Sequence, residues 1–99
     1  MFGALANPVR RQILAILREG PRAVTDLAGN FALGRPAVSE HLQVLRRAGL
    51  VREEARGQHR YYHLEPMPLV EVDEWLHPFE RYWRARLRDL RDVLDEENR

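Results

Sequence analysis

Between Gly49 and Pro66 the apolar pattern of this chain changes period, and that change narrows the folds open to it. On either side, apolar residues recur every three or four positions, as they do along one face of a helix. Residues 51–55 and 59–64 instead read as two extended pieces around Arg56, Gly57 and Gln58, with β-favouring Val and Tyr in the arms. A β-hairpin with Gly57 at a positive-φ turn position fits this run.

Three helical segments precede the hairpin. The first opens on Asn7 as N-cap and Pro8 at the first helical position, where a missing N–H costs nothing. It carries Val9, Ile13, Ile16 and Leu17 on one face and closes at Gly20 and Pro21. The second covers Val24, Leu27, Ala28 and Phe31, with Ala23 or Thr25 as a weak cap. Gly29 inside it is expected to cost ~1 kcal/mol relative to Ala. After a break at Ala32, Leu33 and Gly34, the third starts at Arg35 and Pro36, turns Val38, Leu42 and Leu45 inward, and ends at Ala48 and Gly49. Beyond Pro68, Leu69, Val72, Leu76, Phe79, Trp83, Leu87, Leu90 and Leu94 form one stripe at intervals of three or four. Pro78 lies within that stretch and is expected to kink or locally break the helix.

The order is helix, helix, turn, helix, hairpin, long helix: mainly α with a small β-hairpin, an α+β chain. Two short helices joined by a tight turn form the helix-turn-helix unit, and a following hairpin makes it winged. With 99 residues there is room for one domain, 1–99, with a winged-helix core over about 7–64 and a C-terminal helix over about 67–96. Residues 1–64 hold ten arginines against five acids, net +5, whereas residues 65–99 hold six against ten, net −4. The first part suits a polyanion and the last part does not. There is no cysteine, hence no disulfide or thiolate site, and no apolar run suited to a membrane span or secretory signal. A cytoplasmic location is expected.

The stretches ALANPVRRQILAILREGPRAVTDLA, RPAVSEHLQVLRRAGLVREE and GQHRYYHL closely resemble the winged-helix ArsR/SmtB family of bacterial transcriptional regulators. The resemblance spans roughly residues 2–95, and the ending PLVEVDEWLHPFERYWRARLRDL is similar to a subgroup without metal-binding cysteines. It implies a homodimeric repressor that releases DNA when an inducer, small molecule or protein, binds. Metal-sensing members place a Cys-x-Cys pair where Ala23, Val24 and Thr25 stand, so soft-metal sensing through that site is not expected. Asp73, His77 and Glu80 share a helical face, where other members bind zinc, but a second His is missing. A solvated face is the heavier reading and no metal is assigned, although completion across two subunits stays open. The family usually has Gly at Ala32 and a Ser cap at Gly34, so the turn is expected to be reshaped.

With Val38, Leu42 and Leu45 inward, Arg35, Pro36, Ser39, Glu40 and Gln43 fall at the outward, N-terminal half of the third helix, the part that enters the major groove in such proteins. Arg35 suits bidentate reading of guanine, and Gln43 suits adenine or a phosphate. Glu40 repels phosphate and can only accept, for example from cytosine N4, while His41 lies between faces, packed or touching phosphate; both are counted among the DNA-contacting residues. Arg56, Gln58, His59 and Arg60 on the hairpin suit backbone or minor-groove contact. The aromatic-rich stripe, with Leu5, Leu69, Val72, Trp75, Leu76, Phe79, Tyr82, Trp83, Leu87 and Leu90, is read as a dimer interface between N- and C-terminal helices. Expected partners are therefore double-stranded DNA and a second copy, with no cofactor and no catalytic site. Ser39 with His41, or Asp26 with His41, lacks an oxyanion loop or phosphate cradle for an enzyme. The rival reading is a winged-helix protein-interaction module without autonomous DNA binding.

Overall fold

Asn7 starts the first long helix as its side chain allows: Oδ1 accepts from the backbone N–H of Val9 at 2.8 Å and of Arg10 at 3.2 Å. A computed structural model describes residues 1–97. In chain order the elements are α1 (Phe2–Leu5), α2 (Pro8–Leu17), β1 (Arg22–Ala23), α3 (Val24–Ala28), α4 (Arg35–Arg47), β2 (Val51–Arg56), β3 (His59–Leu64) and α5 (Met67–Glu97).

Four residues are too few to hold a helix alone, and α1 is held by its neighbour. Arg10 donates through Nε to the Ala4 carbonyl at 2.7 Å and through Nη2 to that of Gly3 at 3.1 Å, and Arg11 Nη1 donates to Leu5 O at 2.8 Å. The guanidinium groups thus reach the last carbonyls of this short helix, that of Gly3 also accepting from the Ala6 N–H. Because α2 packs against α1, α4 and β3, its buried arc takes in Leu14 beside Ile13 and Leu17, while Val9 and Ile16 are only half-buried.

The hairpin forms as expected, with Gly57 and Gln58 as its turn and Arg56 opposite His59. Gly57 has φ +58° and Gln58 is not left-handed, as in a II′-type turn. The sheet has a third strand, however. Arg22 pairs with Tyr62 and Ala23 with Tyr61, giving the antiparallel order β1-β3-β2. A two-residue strand carries no readable alternation, so its existence depends on the free edge of β3.

One expectation about α3 is corrected. Gly29 is the C-cap of α3 at φ −65°, outside the helix interior, so the interior penalty does not arise. Ala32 does not take a left-handed conformation, since among the described residues only glycines have positive φ. At the other end of α4, Gly49 does, with φ +76°. There the Leu50 N–H reaches the Leu45 carbonyl and the Gly49 N–H that of Arg46, both at 3.0 Å, which is a Schellman closure.

That closure drops Leu50 into the core. Ile13, Leu27, Val38, Leu42, Leu45 and Leu50 are fully buried, joined by Ala23, Val51 and Tyr62 from the sheet. From Leu69 to Glu97 the helix α5 forms a separate unit. It continues through Pro78 as one helix, so of the expected kink or local break the break does not occur, and the ring removes a ladder bond. None of its side chains is buried. Trp75 and Phe79 rings lie 5.0 Å apart, and the Arg86 guanidinium sits 4.9 Å above the Tyr82 ring. Among the described residues, no helix is long and apolar enough to cross a membrane.

The two helix-end glycines should respond oppositely to one substitution. Gly49→Ala forces a left-handed alanine and should lower stability by about 1–2 kcal/mol. A Cβ at Gly29 meets only carbonyl oxygens at 3.5 and 3.7 Å, ordinary contacts, so Gly29→Ala should be neutral or stabilising by up to about 1 kcal/mol. Urea denaturation of both variants checks the pair.

Candidate nucleic-acid interface

The burial of Val38, Leu42 and Leu45 fixes the roll of α4 and therefore what it shows to solvent. Arg35, Ser39 and Gln43 follow at four-residue spacing and line one wall of a cleft of about 280 Å³. Val24 and Thr25 at the start of α3, and Gln58, His59, Arg60 and Tyr62 from the hairpin, complete it. Among the described residues, the side chains of Arg35, Ser39, Gln43, Gln58 and His59 make no hydrogen bond or ion pair. A cleft walled by uncommitted donors and lined by Arg35 and Arg60 offers contacts to phosphates and base edges.

The remaining predicted residues are placed elsewhere. Glu40 borders a second hollow on α4 with Ser39, Gln43, Val44 and Arg47. Pro36 is exposed in the first turn of α4. His41 turns toward the N-terminal helices: Arg10 Nη1, from the guanidinium that caps α1, donates to its Nδ1 at 3.2 Å. Arg56 is engaged on the hairpin itself, donating through Nε to Glu54 Oε1 at 2.8 Å with its guanidinium 5.3 Å from the Tyr61 ring centre.

Thr25, Val24 and Tyr62 were missed from the cleft, and Arg47 from the face beside it. Arg47 was readable, because Arg35, Ser39, Gln43 and Arg47 continue one row at i+4. The cleft contribution of α3 depends on how two helices pack, which no single-helix pattern carries.

One carboxylate organises the base of the hairpin. Glu53, with its side chain only 11% exposed, accepts from Arg60 Nη1 at 2.6 Å through Oε1 and from Arg46 Nη1 at 3.0 Å through Oε2. Tyr62 donates its hydroxyl to Oε2 at 3.4 Å. A residue of α4 and one of β3 are thus held by the same acid on β2. Burial, then the adjacent Glu53 charge, push the Tyr62 phenol above its ordinary range. On the opposite strand face, Glu54 receives Arg56 and lies 2.7 Å from His63 Nε2. The Arg56 hydrogen bond holds the Glu54 carboxyl below its usual value.

On α5, Glu80 is ion-paired with Arg84, and among the described residues no three His, Asp or Glu side chains come together as a metal site. Leu5, Leu69 and Val72 are half-buried, whereas Trp75, Leu76, Phe79, Tyr82, Trp83, Leu87 and Leu90 are exposed.

Residues 7–53, from the cap of α2 into β2, match the model of the bacterial regulatory protein family arsR. Over 94 residues the chain is 39% identical to the HTH-type transcriptional regulator Rv2034 of Mycobacterium tuberculosis, covering 95% of this chain and 85% of that one. The chain belongs to the ArsR family. It is also 33% identical over 76 residues to the transcriptional repressor SdpR of Bacillus subtilis, covering 77% of this chain and 84% of that protein. A crystal structure of an ArsR family transcriptional regulator superposes with a TM-score of 0.74 at 34% identity, over 84% of this chain and 91% of that one. An ArsR-like regulator from Rhodococcus sp. RHA1 gives the same TM-score at 25% identity, over 96% and 87%. This ArsR-family chain is accordingly a winged helix-turn-helix regulator, in which α3 and α4 form the helix pair and β2 and β3 the wing.

The Tyr62 environment has a measurable consequence. Since the folded protein favours the neutral phenol, the unfolded chain loses this proton first as pH rises past the ordinary tyrosine range, and stability falls until the raised folded value is passed. An ultraviolet phenolate titration should find one tyrosine ionising late, and Glu53→Gln should bring it down.

Proposed function

We propose that this chain is a homodimeric repressor that binds an inverted-repeat operator in the cytoplasm, with α4 in the major groove and the wing on backbone or minor groove. The winged-helix core over about 7–64 makes the DNA contacts, and the helix from about 67 to 96, together with Leu5, makes the dimer. The observation that carries this reading is the cleft in which Arg35, Ser39 and Gln43 of α4 face Gln58, His59 and Arg60 of the wing. A helix-turn-helix reader needs base-reading side chains on the helix and phosphate-directed ones beside it, and this cleft supplies both. Arg35 is assigned to guanine, Gln43 to adenine or phosphate, and Arg60 with His59 to positioning. Catalysis forms no part of this role, in keeping with relatives named as transcriptional regulators.

Glu40 favours a second reading, a protein-binding winged helix, because an exposed acid on α4 opposes phosphate. The free Arg35 and the neighbouring Arg47 weigh against it.

Selection of bound duplexes from a random library separates the two. An enriched inverted repeat with half-sites about one helical turn apart supports the repressor; weak, sequence-blind binding overturns it. On the selected duplex, Arg35→Ala should lower affinity by about 10- to 100-fold and relax one base position. Gln58→Ala should weaken all sequences alike, as followed by fluorescence anisotropy across a salt series.

A further inference from the structure

The net charge of −4 over residues 65–99 conceals a segregation along α5. Residues 71–80 hold four acids and no arginine, whereas residues 81–91 hold five arginines and one acid. At 100° per residue, Arg81, Arg84, Arg88 and Arg91 fall within an arc of about 80°, centred about 120° around the helix from the apolar stripe that includes Phe79 and Trp83. Asp89, the acid of that segment, lies about 120° from the centre of the row on its other side. All four arginines are exposed, and with Leu87 they line an open hollow of about 660 Å³. Arginines at i, i+3, i+7 and i+10 stand one above another, and like charges at that spacing weaken a helix. Little within the chain offsets them. Arg84 is paired with Glu80. Among the described residues, Arg81, Arg88 and Arg91 make no hydrogen bond or ion pair, although Asp92 and Asp95 follow Arg88 and Arg91 at four-residue spacing.

We propose that this arginine row is a second DNA-backbone site, separate from the cleft between α4 and the wing, which takes phosphates without reading bases. A line of unpaired guanidinium groups, each able to hold a phosphate through two N–H donors, complements a polyanion that is itself a line. The row extends about 15 Å along the helix axis, a distance over which one strand of B-DNA rises past about four phosphates. A winged helix-turn-helix on the same chain brings a duplex to it, which favours nucleic-acid phosphate over an acidic protein as the occupant. The inference rests on DNA binding by this regulator and extends it to a helix that holds none of the base-reading residues. Because the row and the apolar stripe occupy different arcs, phosphate on one leaves the other free for a second copy. The phosphates belong either to the duplex that α4 holds or to a second duplex, and the chemistry is the same.

The test uses the full chain and the selected site set between long flanks. Arg81→Gln, Arg88→Gln and Arg91→Gln are combined in one variant, since glutamine keeps the helix propensity of arginine; lysine at the same three positions keeps the charge. Fluorescence anisotropy across a salt series should show the glutamine variant binding every sequence more weakly, with a salt slope lower by about one or more and the same selected bases. The lysine variant should keep the slope. Loss of slope with a single duplex in solution assigns the phosphates to the duplex that α4 holds. If instead the wild-type chain, and not the glutamine variant, retains a free labelled duplex on one tethered to beads, they belong to a second duplex. Arg88→Gln alone should lower one of these two readings more than Arg18→Gln, which removes the same charge from an exposed position at the end of α2. Equal effects of those two reduce the row to overall charge and overturn the proposal; the single variant also serves should the triple one lose its helical circular dichroism. Unchanged slope and unchanged capture, with operator binding intact, overturn the second site and leave the operator reading standing. No DNA binding by the wild-type chain overturns both.

Discussion

Val38, Leu42 and Leu45 hold α4 out of water along one line, and the rest of the regulator is arranged around that contact. The helix packs on α2, α3 and β2 rather than on a single partner, so α4 cannot roll without opening three interfaces at once. Deleting one such side chain costs about 2–5 kcal/mol, a large part of the stability of a domain this size. The aim of Arg35, Ser39 and Gln43 is therefore set by packing on the far side of the helix. Leu50 extends the same anchor past the helix end, through a turn that only a residue at φ +76° allows.

Much of this was legible because it is periodic. The inward face of α4, the limits of the hairpin and the length of α5 all follow from spacing, and spacing is a property of one segment at a time. What escaped was what one segment owes to another. No pattern in Phe2–Leu5 announces a helix; α1 exists where Arg10 and Arg11 reach back to its carbonyls. No pattern in Arg22–Ala23 announces a strand, since those residues complete an edge that β3 leaves open.

The wing shows the same divide within the candidate site. Arg56 and Arg60 look equivalent in sequence, two arginines flanking a glycine turn. Strand alternation separates them, and the adjacent acids Glu53 and Glu54 point to opposite faces and take one each. Period-two counting from Val51, the first buried residue of β2, would have assigned those faces. Counting could not have supplied Arg46, which joins Glu53 from α4. His41 is a similar case: its place between faces was readable, but the Arg10 guanidinium that occupies it was not.

The sharing of Glu53 bears on how the wing meets a polyanion. Arg60 already has an anionic partner at 2.6 Å, and Arg46 balances the same carboxylate. A phosphate arriving at Arg60 thus exchanges with a carboxylate instead of meeting a bare cation. Such an exchange must first open the Arg60–Glu53 pair, so it gains less from charge than a bare cation would and contact here rewards geometry: a backbone that fits both the guanidinium and the cleft beside it can displace Glu53, and a misplaced one leaves the internal pair closed.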